Sequence, residues 1–301
     1  MKRRSFIRNS AILGAGIGVL GSAGCNFIKG SGPRKLTILH TNDLHSRIDP
    51  FPLTDGKYAG LGGLSRIATL VEQERVAEKN VLLFDSGDIF QGTPYFNYYG
   101  GELEFKLMSQ IGYDAATLGN HDFDNGVSGL VSQMPNASFP FLNSNYNLGD
   151  SELQKHVFPH KLFEIDGLRI GVFGIGIELE GLVNPNLYGK IGYLNPIKSA
   201  NSVSNYLRNE LKCNVVVCLS HLGYKYDSNK VSDITLAQQS ENIDVILGGH
   251  THTFLDQPEI VANNGHGKVM ICQAGWAGIR LGKLSLFFDD DGKMVNGTHL
   301  A

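Results

Sequence analysis

Leu36-Thr37-Ile38-Leu39-His40-Thr41-Asn42-Asp43-Leu44-His45 is a short apolar run that ends in side chains able to bind metal ions. The pattern recurs four times further along, always in the same order of run and ligand. Val81–Phe84 leads to Gly87-Asp88, and Ala115–Leu118 to Gly119-Asn120-His121-Asp122. Val215–Leu219 leads to Ser220-His221, and Val245–Leu247 to Gly248-Gly249-His250-Thr251-His252. Short continuous apolar runs mark buried parallel strands. In an open α/β sheet the loops after the strand C-termini gather at one edge, where ligands bind. Loops bearing Asp, Asn and His therefore converge, and their meeting point reads as a two-metal hydrolytic centre.

Between these fragments the periodicity turns helical. Leu64–Lys79 carries Leu64, Ile67, Ala68, Val71 and Val76 mostly at helical spacing; Leu103, Leu107 and Ile111 mark a second helix, and Val203 to Leu211 most of a third. Lys161–Asp166 and Leu168–Ile175 flank Asp166-Gly167, a hairpin turn. Lys268–Gln273 and Leu281–Asp289 read as strands, with Asp291-Gly292 as another turn. Parallel βαβ units with added antiparallel strands predict an α/β protein of two packed mixed β-sheets flanked by helices.

The N-terminus reads as a targeting segment. Lys2-Arg3-Arg4-Ser5-Phe6-Ile7 precedes the apolar Ala11–Leu20 and then Ser22-Ala23-Gly24-Cys25. That order is an export signal too short for a spanning helix, with paired arginines of the twin-arginine kind. Cys25 stands where a lipoprotein would carry its lipid, although Ser22 is an unusual residue there. Residues 1–25 are thus expected to be the signal, 26–33 a linker and 34–301 one catalytic domain, exported to the periplasm or cell envelope. A net charge of −3 without a basic run argues against nucleic acid as a general partner. Cys213, Cys218 and Cys272 read as buried free thiols rather than a disulfide framework.

The chemistry follows from the donors. In an extended segment residues two apart point the same way, so Asp43 and His45 are expected to grip one ion together, with His250 and His252 approaching from the other side. Asp88 has two oxygens with which to bridge cations roughly 3.5–4 Å apart. Asn120 adds a carbonyl oxygen and His221 a nitrogen. Two divalent cations bring four positive charges, and Asp43 and Asp88 return two, so the surplus favours an anionic substrate. Such cations lower the pKa of water from about 16 towards 7. Donors of N and O without thiolate suit Mn, Zn, Fe or Co alike. The other histidines, His40, His156, His160, His266 and His299, are expected to be structural or exposed.

These motifs together resemble the calcineurin-like metallophosphoesterase superfamily, and more closely the metal-binding domain of the 5′-nucleotidase and UDP-sugar hydrolase family. Gln273-Ala274-Gly275 and Leu281-Gly282 add to the match. The resemblance implies the metallophosphoesterase fold, a four-layer sandwich. It puts Asp43, His45, Asp88 and His252 on one ion, and Asp88, Asn120, His221 and His250 on the other. His252 stands where some relatives have glutamine. His121 would face the phosphate and assist the leaving oxygen, oriented by Asp124. The implied substrate is a small phosphate ester, foremost a nucleotide. Two-domain members also carry a C-terminal domain with arginines for phosphate and aromatic rings for the base. A separate polypeptide supplying that half is a further expectation, as is membrane attachment only through a lipid on Cys25.

Competing readings stay open: a phosphodiesterase or nucleotide-sugar pyrophosphatase, or a subunit inactive alone. The aromatic stretch Phe90–Tyr99 either lines a pocket or packs over the sheet. Asn143 and Asn145 either reach the site or make turns, and Arg280 either meets phosphate or is paired. Gln273 is expected to support a ligand from behind.

Overall fold

A computed structural model describes residues 34–300. These described residues belong to one compact unit. The expected signal and linker, and with them Cys25, lie outside the described residues.

Two mixed sheets form the centre. In the first, Arg34–Thr41 pairs in parallel with Val81–Asp85, which pairs in turn with Ala115–Ala116, and then Phe141–Leu142 and Val157–Phe158 follow. Gly282–Phe288 and Met294–Leu300 extend it antiparallel on the other side of Arg34–Thr41. In the second, Leu168–Ile175, Val215–Ser220, Val245–Leu247 and Lys268–Cys272 are parallel neighbours. His160–Ile165 and Glu259–Ala262 close its edges antiparallel. The motif-bearing strands are therefore split, three in one sheet and two in the other.

Strand periodicity makes four layers. Alternate side chains point to opposite faces. Leu36, Ile38, Leu82 and Phe84 meet Ile170, Val172, Val215, Val217 and Leu247 between the sheets. On the outer face of the first sheet, Leu39 and Leu83 meet Ile67 and Val71 of the Leu64–Ala77 helix and Phe105 and Met108 of the Glu102–Ile111 helix. On the second, Phe173, Val216 and Ile246 meet Ala200 and Leu207 of the Pro196–Asn209 helix and Leu236 of the Asp233–Gln239 helix. Each fully buried aliphatic side chain contributes about 1.5–3 kcal/mol. The helix–sheet–sheet–helix order is the architecture expected.

Local signals account for the boundaries. Asp166 and Gly167 take φ of 53° and 75°, the paired left-handed conformation that a two-residue hairpin requires. The third helix starts earlier than its apolar pattern, because the Asn195 side chain caps it by accepting from the Lys198 N–H at 3.0 Å, with Pro196 in its first turn. The short helices Pro94–Tyr99, Gly126–Gln133 and Asp233–Gln239 have no counterpart in the sequence reading. Cys213, Cys218 and Cys272 are buried free thiols, as expected.

Candidate metal centre

The C-terminal edges of both sheets bring the ligand-type residues together in two groups. Asp43, His45 and His252 form one, and Asp88, His221 and His250 the other, each with donor atoms close enough to hold a metal ion. His45 Nε2 lies 3.0 Å from His252 Nε2, and His252 Nε2 lies 3.3 Å from Asp43 Oδ1. Asp88 Oδ2 sits 3.1 Å from His221 Nε2 and 4.0 Å from His45 Nε2, so one oxygen faces both groups. Its other oxygen accepts the His121 backbone N–H at 2.7 Å. Asn120 Oδ1 is buried without a hydrogen-bond partner, and His221 Nε2 meets only the Asp88 carboxylate, the state in which a cation would satisfy both ligand atoms. The residues present therefore fit divalent ions.

One expectation fails in its geometry. Asp43 and His45 do converge, but not from extended backbone. Their φ values are 50° and 48°, and Asp88, His250 and His252 have 55°, 70° and 51°. Left-handed backbone at non-glycine residues costs about 1–3 kcal/mol each and persists only where the surroundings hold it. Three of the five motif-bearing strands, Arg34–Thr41, Val81–Asp85 and Val245–Leu247, thus lead into left-handed turns that aim donors inwards, whereas Asn120 has ordinary backbone with φ of −73°.

Hydrogen bonds supply that hold. Buried Asp122 accepts from the backbone N–H groups of Asp88, Gly119, Ile89 and Phe90 at 2.8–3.3 Å, tying two ligand loops together. Asn42 donates to Asp43 Oδ2 and to the Gly275 carbonyl, and its Oδ1 accepts from the Ala274 N–H. Gln273 donates to the Gly249 carbonyl at 2.7 Å and accepts from the Thr253 N–H at 2.5 Å, which supports the His250–His252 turn from behind as expected. His221 Nδ1 donates to the Ser86 carbonyl at 2.6 Å, leaving Nε2 turned to the centre. Gly119 is obligatory by contact, since an added Cβ would collide with Asp88 Oδ1 and lie 2.7 Å from His221 Cε1.

Electrostatics separate the groups by role. Burial pushes His221 down, but Asp88 beside it more than compensates and brings it up to about 10. Burial and the neighbouring His221 push His250 down to about 4. Burial, opposed by Asp88 and Asp43, leaves His45 lowered. His121 Nδ1 lies 2.8 Å from Asp124 Oδ2, and that hydrogen bond, against partial burial, raises its pKa. Burial next to Asp88 lifts Asp122 to about 7.

His45 and His252 of one group, Asp88 and His250 of the other, and His121 line one cavity of about 330 Å³, together with Asn120, Gln91 and Gly92. The Phe90–Tyr99 stretch divides accordingly: Phe90 is buried against Phe96 and Phe105, while Gln91 and Gly92 reach the cavity. Asn143 accepts from the Asn145 and Tyr146 N–H groups and Asn145 bonds Gly176, so both serve turns. Arg280 is paired with Asp256 at 2.6 Å. Two cavity residues escaped the sequence reading, Arg47 and Trp276. Trp276 stacks flat on His252, with centroids 5.3 Å apart and planes within 2°. Among the described residues no helix is long and apolar enough to cross a membrane.

Comparison with known proteins agrees with this geometry. Residues 36–254 match the model of the calcineurin-like phosphoesterases. A snake venom 5′-nucleotidase of Naja atra is 34% identical over 288 residues, covering 89% of this chain and 53% of that protein. A 5′-nucleotidase precursor from Thermus thermophilus shares the fold with a TM-score of 0.80 at 31% identity, over 89% of this chain and 54% of that one. The NAD nucleotidase of Haemophilus influenzae gives 0.78 at 27% identity, over 89% and 50%. The chain thus spans about half the length of these relatives. With its motif-bearing strands inside the matched span, this chain belongs to the calcineurin-like phosphoesterase family.

Proposed function

We propose that the protein is a two-metal phosphoesterase whose preferred substrates are phosphomonoesters, nucleoside 5′-phosphates first among them. The observation that carries this reading is one cavity in which two ligand groups, joined across Asp88, meet the His121–Asp124 pair. Asp43, His45, Asp88 and His252 would hold one ion, and Asp88, Asn120, His221 and His250 the other. When bound, such a pair of cations supplies positive charge to phosphoryl oxygens and brings the pKa of water towards neutrality.

The chain's own side chains do the positioning and the proton transfer. With Nδ1 engaged by Asp124, His121 has Nε2 left for substrate. The neighbouring carboxylates favour its protonated form, so it can give a proton to the departing alcohol. Asp122 and Asn42 keep the ligand turns from relaxing when an anion enters.

The nucleotide class draws support from the names of the relatives. The Haemophilus NAD nucleotidase favours a second reading, cleavage of a dinucleotide or nucleotide-sugar pyrophosphate at the same centre. A second domain bearing base contacts, on this or another polypeptide, would complete base recognition, and a pull-down from the native envelope tests for a separate partner. Residues 1–25 remain proposed as an export signal, 26–33 as a linker and 34–301 as the catalytic domain, with lipid on Cys25 in the periplasm or envelope.

The test is metal-reconstituted protein assayed with an aryl phosphate, its diester, nucleotides and a dinucleotide. Turnover should vanish with chelator and fall by about 10² or more in His121→Ala. Unchanged activity in that variant removes the proposed acid. No turnover with metals bound would favour a subunit inactive alone.

A further inference from the structure

Arg47 is the one lysine or arginine that lines the metal cavity among the described residues. Its main chain is pinned: its N–H donates to the Leu44 carbonyl at 3.0 Å, and its carbonyl accepts from the Leu64 N–H at 3.0 Å. The head of the side chain is held as well, with the guanidinium carbon 4.1 Å from the centroid of the Phe51 ring. Phe51 is itself buried and packs edge-on against Trp276 at 5.5 Å. A planar guanidinium stacked on an aromatic ring keeps its fork in one orientation at low entropic cost.

Asp55 and Asp49 act on its charge from a distance, but neither forms an ion pair with it. Arg47 forms no ion pair among the described residues, and its Nε is buried without a hydrogen-bond partner. Other donors hold both of these acids in place. Asp49 accepts from the Tyr95 hydroxyl at 2.5 Å, and Asp55 accepts from the Lys57 and Tyr58 N–H groups at 2.9 and 2.6 Å. Arg280, by contrast, lies over Phe254 but is paired with Asp256. A stacked, unpaired guanidinium at the wall of a metal cavity is the arrangement that takes a phosphoryl group by two parallel N–H donors.

We propose that Arg47 binds a phosphoryl oxygen of the substrate and selects dianionic monoesters over diesters. This inference rests on the phosphoesterase reading above. A monoester at neutral pH offers the fork one more charged oxygen than a diester does, so the contact strengthens with substrate charge. The domain described here then carries its own anion contact, separate from any supplied by a further domain.

The experiment uses metal-loaded wild type, Arg47→Ala, Arg47→Gln and Arg47→Lys. Inorganic phosphate affinity is measured by calorimetry and by fluorescence of Trp276, the only tryptophan of the sequence. The ratio of kcat/KM for an aryl phosphate and its diester is measured beside it. Arg47→Ala and Arg47→Gln should weaken phosphate by about tenfold or more and lower the monoester preference by a similar factor, with Arg47→Lys between them. Unchanged phosphate affinity, or equal loss on both esters together with a lowered Tm, overturns the proposal. Wild type that turns over esters while Arg47→Ala keeps full phosphate affinity defeats this inference alone. Metal-loaded wild type that neither cleaves an ester nor binds phosphate defeats the underlying reading with it.

Discussion

The two ligand groups share Asp88 and differ in nearly everything else. The Asp88–His221–His250 group is built on a histidine with no exposure, locked by a backbone carbonyl and enclosed by glycines. The Asp43–His45–His252 group faces the cavity: the His252 side chain is 38% exposed and is held by Trp276 stacking from outside. The inner group is enclosed throughout; in the outer one Asp43 is buried and held by Asn42, while the exposed His252 ring leans on one aromatic contact. An ion in the first should therefore be structural as well as catalytic, and an ion in the second more readily exchanged.

Asp88→Asn should have the largest effect, because it weakens both groups together. Loss of several kcal/mol of charge stabilisation corresponds to about 10³ or more in kcat/KM. Elemental analysis should find fewer than two ions, and two tightly held ions would break the shared-carboxylate picture. Next comes the contrast between the groups. His221→Ala leaves Asp88 and the Ser86 carbonyl buried without their partner, which should cost about 1–3 kcal/mol in metal-free thermal unfolding. His252→Ala should lose its ion while the Tm of the metal-free protein barely moves. Equal destabilisation by the two would erase the distinction.

The smallest effect on activity lies behind the inner group. Asp233 is fully buried, bonded to Ser220 Oγ at 2.5 Å, and its burial lifts the carboxyl to about 8. An unfolded aspartate titrates near about 4. Between those values the folded state holds a proton that the unfolded state has released, so stability falls as pH rises through the window. The slope is up to about 1.4 kcal/mol per pH unit. Denaturant titrations of metal-free protein from pH 4 to 8 should show it, and Asp233→Asn should make the slope shallower, with buried Asp122 supplying part of what remains.

What the sequence made legible was whatever one short stretch determines. Leu36–Leu39 or Val215–Leu219 announce a buried strand by their own composition, and a histidine or aspartate directly after them announces a ligand. Gly126–Gln133 does not announce a helix: Gly126 and Gly129 lower its propensity, and packing of Leu130 holds it in place. Asp122 looked like one more member of a motif, yet its four backbone partners come from two loops that only the fold brings together. The left-handed turns at Asp43 and His45 were invisible for the same reason, since left-handed backbone at such residues is imposed from outside. Arg47 gave no local sign because its meaning lies in the Phe51 ring and the cavity that the fold brings to it.

His45 and His252 touch although 207 positions separate them along the chain, and they hang from different sheets. Any ion gripped there acts as a rivet between the halves of the sandwich and closes a very long loop. Tolerance of heat should then track the supply of free cation, because a ligand that binds only the folded form raises its melting point with concentration.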